Sequence, residues 1–191
     1  MINGHRMPWQ TGTLEGAGVR ESVRRLRELA GIFRDRAALG ALDPDTIVYS
    51  VRSWMPVPGG TPGGLFWGVT TLAPGKVGAE YFMTHGHAHE ISDRAEFYST
   101  LDGTGALILM DSTGRTWMET MEPGSLHYVA GGLAHRVANT GSRPLIFAAC
   151  WPSDAGHDYG TIRDYGFGAR LLEVDGRPVL VDGVRDAGAR H

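Results

Sequence analysis

One cysteine, one lysine and no long apolar run: these shortages exclude whole classes of protein for this 191-residue chain. Cys150 has no partner, so an internal disulfide is impossible, and a reducing, cytoplasmic setting is expected. Its thiol is expected to pack as a small hydrophobe. The longest apolar stretches, such as 144–151, are far too short to span a bilayer. The N-terminus, M-I-N-G-H-R-M-P-W-Q, lacks the charged-then-apolar order of a signal peptide. No membrane partner is expected. Lys76 apart, the cations are arginines, and they are mixed with acids to a net charge of −3 without a basic tract. Nucleic acid is therefore not an expected partner either. Repeats, low-complexity tracts and obvious linkers are also missing.

The chain does have glycine, 28 residues of it, recurring between short apolar runs. That punctuation predicts an all-β fold. The length fits one domain over 1–191, with a helical or extended arm over 1–45 and a β-barrel over 46–182. In the arm, Val23, Leu26, Ala30 and Phe33 recur at steps of three and four, which predicts an amphipathic helix over 19–33 and a short turn over 35–39. Beyond Asp43-Pro44 the period becomes two. Strands are expected over 46–54, 65–72, 80–85, 95–101, 106–110, 116–121, 126–129, 135–139 and 145–151, with a final hairpin of 170–174 and 179–181. So many short strands in one domain favour a closed barrel or sandwich, which hides strand edges.

Histidine is the most informative residue. Three of the eight fall within T-H-G-H-A-H (84–89), spaced by two, and another lies in G-G-L-A-H-R-V-A-N (131–139). Residues two apart on a strand share a face, so two imidazoles can grip one ion while other strands supply a carboxylate and a third imidazole. A flat strand places His85 and His89 too far apart for one ion, so the pair is either 85/87 or 87/89. Glu90, Asp93 and Glu96 are the carboxylates in reach; Glu96 opens the next strand and can point inward. Clustered histidine and carboxylate read as one mononuclear metal site.

These residues carry a resemblance. His87-x-His89, six residues, Glu96, six more and Gly103 resemble the first signature of the cupin superfamily. Gly124, Ala130-Gly131-Gly132, His135 and Asn139 resemble the second, with Ala130 where proline is usual. The resemblance implies a double-stranded β-helix (a jelly-roll barrel) and assigns His87, His89, Glu96 and His135 as ligands of one divalent ion per chain, leaving His85 outside. Iron, manganese, nickel and zinc all suit such a set.

The match narrows further. Segments 74–78, 84–89, 93–98, 121–124 and 134–139, and above all D-A-G-H-D-Y-G-T-I (154–162), resemble the cupin-type glucose-6-phosphate isomerases. T-G-T-L-E-G-A (11–17) and S-V-R-R-L (22–26) resemble that family's opening. The implied activity interconverts glucose 6-phosphate and fructose 6-phosphate, through a metal-stabilised cis-enediolate or a hydride shift. The resemblance casts Glu96 as proton shuttle and His157, Tyr159 and Tyr98 as further catalytic groups. It points to Tyr49, Thr70, Thr84 and the Gly86 amide for the phosphate, since no P-loop is present. A homodimer is implied as well. Lys76 reads as a solvated loop residue. Two departures, Ala130-Gly131-Gly132-Leu133 in place of a Pro-Pro-Tyr-Trp-like stretch and Trp151 in place of tyrosine, are expected at the mouth of the site. Two other readings stand beside this one. Three histidines and a glutamate also serve iron-dependent oxygenases, although the 154–162 block argues against that. A non-catalytic sugar-phosphate-binding cupin would follow if Gly131-Gly132 emptied the site.

Overall fold

Period-two burial organises the chain. In the computed structural model, which describes residues 5, 7–8, 12–160 and 166–182, thirteen strands form three antiparallel sheets. The first sheet takes the order β1 (Arg20–Arg25), β2 (Ile47–Trp54), β3 (Leu65–Leu72), β11 (Leu145–Pro152), β6 (Glu96–Asp102), β9 (Leu126–Val129). The second is β10 (Ala134–Asn139), β7 (Gly105–Met110), β8 (Thr116–Met121). The third is β13 (Arg177–Asp182), β12 (Ala169–Val174), β5 (Glu80–Tyr81), β4 (Lys76–Val77). The all-β expectation is borne out.

On β6, Glu96, Tyr98 and Thr100 are buried while Phe97 between them is exposed, so alternate side chains enter the barrel. β7, G-A-L-I-L-M, is buried at every position, and its run of apolar residues matches that two-sided burial. Leu107 of β7 is fully buried, as are Leu72 of β3, Val48 of β2 and Leu145 of β11. Each such side chain contributes about 1.5–3 kcal/mol relative to exposure.

The two cupin signatures have local structural reasons. Gly103 turns the chain between β6 and β7 at φ +82°, and a Cβ there would stand 2.8 Å from Leu145 Cα. Asn139 is fully buried; its amide donates to Leu72 O and Arg143 O at 2.9 Å, and its oxygen accepts from Gly141 N–H at 2.9 Å. It thus ties β10 to β3 and to the turn before β11.

One expectation fails. Residues 19–33 are not one helix: β1 occupies Arg20–Arg25, paired antiparallel with β2, and a 3-10 helix follows over Leu26–Ile32. Of the spaced apolar residues Leu26 and Phe33 are buried and Val23 and Ala30 half-buried, while the tighter helix also buries Leu29, the i, i+3 neighbour of Leu26. Residues 20–25 instead complete the hydrogen bonding of β2, a long-range gain that local periodicity does not report. The barrel sheet therefore recruits a strand from before residue 46. The short turn is present as α1 (Arg36–Gly40), capped by the Asp35 carboxylate accepting from Ala38 N–H at 2.8 Å. The strand expected over 80–85 ends at Tyr81, and Lys76, placed in a turn from sequence, lies on β4 in an ion pair with Glu173 at 2.6 Å.

Candidate active site and metal centre

The inner face of the six-stranded sheet forms one wall of a cavity of about 250 Å³. Glu96 and Tyr98 reach it from β6, Tyr49 from β2 and Thr70 from β3. Opposite them, residues 84–87 run along the edge of β10, with Thr84 N–H donating to Val137 O and the His87 and His135 backbones exchanging hydrogen bonds at 3.1 and 2.9 Å. Gly86 sits at φ +82°, so the chain leaves strand geometry between His85 and His87. The three histidines thus do not share one continuous strand face. A Cβ at Gly86 would lie 2.9 Å from Arg136 Nε and 3.2 Å from His135 O, so a side chain there has no room.

His87, His89, Glu96 and His135 converge so that their donor atoms all lie within 4.8 Å of one another. His85 is not part of the cluster, which resolves the choice of pair in favour of 87/89. Glu96 Oε1 stands 2.5 Å from His135 Nε2 and 3.4 Å from His89 Nε2, yet all three buried atoms lack a hydrogen-bond partner. Buried polar atoms without partners are costly, and their convergence is what a cation would satisfy. The other ring nitrogens are engaged: His89 Nδ1 lies 2.7 Å from Arg94 O, and His135 Nδ1 lies 3.2 Å from Leu133 O. As N–H donors there, they turn the Nε2 lone pairs inward. Three imidazoles and a carboxylate suit a divalent transition-metal ion. The residues fit the group.

Charge follows from this crowding. Burial opposes ionisation of Glu96, but where His135 and His89 are protonated their hydrogen bonds and charge outweigh it and hold the carboxyl at about 2. Burial lowers the His87 pKa well below its ordinary value, with His135 and His157 adding to the effect, so the ring is neutral and its lone pair available. Burial also lowers His157. Tyr98 is raised well above its ordinary value by burial and by the neighbouring Glu96, so its phenol stays protonated as a donor.

Within 154–162 the structure describes residues up to Gly160, and these stitch the ligand loop to the barrel. Asp154 accepts a bidentate pair from Arg94, Nε to Oδ1 at 3.0 Å and Nη2 to Oδ2 at 2.9 Å. Asp158 and Ala88 exchange backbone hydrogen bonds at 2.8 and 3.1 Å, which clamps the residue between His87 and His89. His157 and Tyr159 then project over the cavity, their rings parallel within 8° at 5.8 Å, with His157 4.5 Å from His87. Thr161 and Ile162, like Thr11 of the opening motif, lie outside the described residues.

Tyr49, Thr70, Thr84 and Gly86 all line the same cavity, as do His87, Glu96, Tyr98, His135, His157 and Tyr159. His89 completes the cluster without lining the cavity. Sequence reasoning missed Arg24, which also lines the wall. It missed Arg136 too, whose Nη2 donates to His85 O at 3.1 Å and whose guanidinium lies 4.0 Å over Phe167. Burial brings the Arg136 pKa down to about 9. Of the two departures, Trp151 lines the cavity, but residues 130–133 do not. A Cβ at Gly131 would lie 2.7 Å from Ser92 O, so the glycine there accommodates the ligand loop rather than emptying the site.

Fold and site together define a class: an all-β protein whose three histidines and one glutamate form a cluster able to hold a metal ion. The sequence matches the family described as glucose-6-phosphate isomerase (GPI) over residues 23–186, and the chain belongs to that family. The glucose-6-phosphate isomerase of Thermococcus litoralis is 42% identical over 181 residues, 94% of this chain and 93% of that protein. That of Pyrococcus furiosus is 42% identical over 184 residues, 95% of both chains. Among solved structures, a mutant of Bacillus subtilis oxalate decarboxylase aligns with a TM-score of 0.44 at 20% identity, over 57% of this chain and 27% of its own.

Proposed function

We propose that the protein interconverts glucose 6-phosphate and fructose 6-phosphate. One observation carries the reading: His87, Glu96 and His135 of the cluster, the Tyr98 phenol and the His157–Tyr159 pair open onto a single cavity of about 250 Å³, room for one hexose phosphate. The names and near full-length identity of the relatives support the substrate. His87, His89, Glu96 and His135 would hold one divalent cation, which when bound supplies Lewis-acid stabilisation of charge on adjacent sugar oxygens.

The chain's own groups do the rest. Among the described residues Glu96 is the one carboxylate lining the cavity, and it is assigned the transfer of the proton between C2 and C1. Tyr98, protonated and beside it, donates to a sugar oxygen. His157 and Tyr159, at the open side, exchange the proton that ring opening requires. Tyr49, Thr70, Thr84 and the Gly86 amide receive the phosphate as neutral donors. Pairing into a homodimer belongs to this reading: exposed Phe97 and Tyr128 lie 5.2 Å apart on the outside of β6 and β9, an apolar outer face that a second copy would cover. A cytoplasmic location goes with a phosphorylated substrate and a free thiol at Cys150.

Purified protein supplied with iron, manganese, zinc or nickel is expected to form glucose 6-phosphate from fructose 6-phosphate, followed with glucose-6-phosphate dehydrogenase, and to stop when a chelator is added. Absence of product with every metal overturns the reading. His157→Gln is expected to lower kcat by about 10²–10⁴-fold, the usual worth of general acid–base catalysis. In the same assay, an unchanged kcat would remove His157 from the proton path.

A further inference from the structure

Among the described residues the cavity wall carries one fixed positive charge, and sequence periodicity alone assigns it to the wrong kind of element. Ser22 and Arg24 of β1, Tyr49, Val51 and Ser53 of β2, and Gly68 and Thr70 of β3 form one sheet face, with Arg24 directly opposite Tyr49 in the register. Among the described residues lining the cavity, Arg24 is the sole arginine or lysine. A β-bulge between Arg24 and Arg25 separates these neighbours. Arg25 reaches Asp45 O at 2.6 Å, while Arg24 points along the cavity wall.

Among the described residues the Arg24 guanidinium is only loosely held. It donates to Val23 O at 3.2 Å and stands 4.0 Å from Glu28 Oε1, with nearly half of its side chain exposed. Two other arginines near the edge of this sheet are committed elsewhere: Arg27 to Asp45, and Arg52 to Glu21 and Leu14 O. Arg24 lies on the opposite edge of the sheet from the β6–β9 side that supplies Glu96. A hexose phosphate with C1 and C2 at Glu96 extends its other end, the phosphate, towards β1–β3.

We propose that Arg24 recognises the 6-phosphate dianion, drawn into the cavity from its loose contact with Glu28, and so sets the preference for phosphorylated over free sugars. This rests on the sugar-phosphate reading of the cavity. The neutral donors Tyr49, Thr70 and Thr84 can hold phosphate oxygens but cannot balance a charge of about −1.5 to −2 at neutral pH. A guanidinium supplies both the charge and a forked donor geometry. It also attracts the dianion over distance, an effect that salt screens.

The test compares wild type with Arg24→Met and Arg24→Lys, each checked for an unchanged Tm without ligand. For fructose 6-phosphate, Arg24→Met is expected to raise KM at least about tenfold, the worth of a hydrogen bond to a charged group, while kcat stays within about threefold. Arg24→Lys recovers part of the loss. Wild-type kcat/KM falls more steeply with sodium chloride than that of Arg24→Met. Turnover of unphosphorylated fructose is the same in both. A KM for fructose 6-phosphate within twofold of wild type overturns the assignment. If wild type turns over no sugar phosphate, the isomerase reading fails, and Arg24 is judged by binding alone. Inorganic phosphate is then expected to raise the Tm of wild type above a chloride control of equal ionic strength, and not that of Arg24→Met. Equal shifts in both proteins reject the assignment.

Discussion

His135→Ala is expected to lower turnover of fructose 6-phosphate by about 10³-fold or more, because the group that stabilises developing charge loses its seat. His135 is 1% exposed and its Nε2 faces Glu96 Oε1 at 2.5 Å. Alanine leaves only His87, His89 and Glu96 of the four donors and opens one side of the seat for a cation. The variant is expected to keep its fold, since the imidazole makes few hydrogen bonds besides the contact of Nδ1 with Leu133 O. A second readout separates metal loss from misfolding. Metal at a hundredfold excess over its dissociation constant stabilises a folded protein by about 2.7 kcal/mol, which for a chain of this size is about 5–10 °C in Tm. Wild type is expected to show that shift with manganese or zinc and His135→Ala is not. A variant that kept both wild-type turnover and the shift would show that the cluster does not bind the ion.

Asn139→Ala is expected to act on stability instead, lowering Tm by about 10 °C, from about 4 kcal/mol lost when several buried groups go unpaired. The asparagine amide serves Leu72 O, Arg143 O and Gly141 N–H, and both Asn139 and Leu72 are fully buried. Water cannot replace those bonds without opening the junction of β10 and β3. Asn139 does not line the cavity, so kcat measured well below the melting point should stay within about twofold of wild type. A thermal melt showing a loss below 2 °C would mean that the junction tolerates the gap.

The chemistry was legible because donor identity is a property of the residue. His87, His89 and His135 with Glu96 could be chosen as ligands, by resemblance, before any strand was placed. The part of the ligand set that local reasoning left open was a matter of direction. Whether His85 or His89 pairs with His87 depends on Gly86, whose φ of +82° ends the alternation between them. Backbone register with β10 then decides the outcome, since His87 and His135 are bridge partners nearly fifty residues apart.

Local alternation determined most of the barrel by itself. β3, β8 and β9 fall where period two places them, and glycine turns such as the one at Gly103 follow from backbone sterics alone. Tertiary structure alone decided the rest. Residues 20–25 became an edge strand because β2 offered unpaired backbone groups, and that choice carried Arg24 to the cavity. Residues 154–160 became a clamp because Asp154 met Arg94 and Asp158 met Ala88. Periodicity is a property of neighbours along the chain and can be read from it. Pairing energy depends on partners brought together by folding, and no local pattern encodes where they will meet.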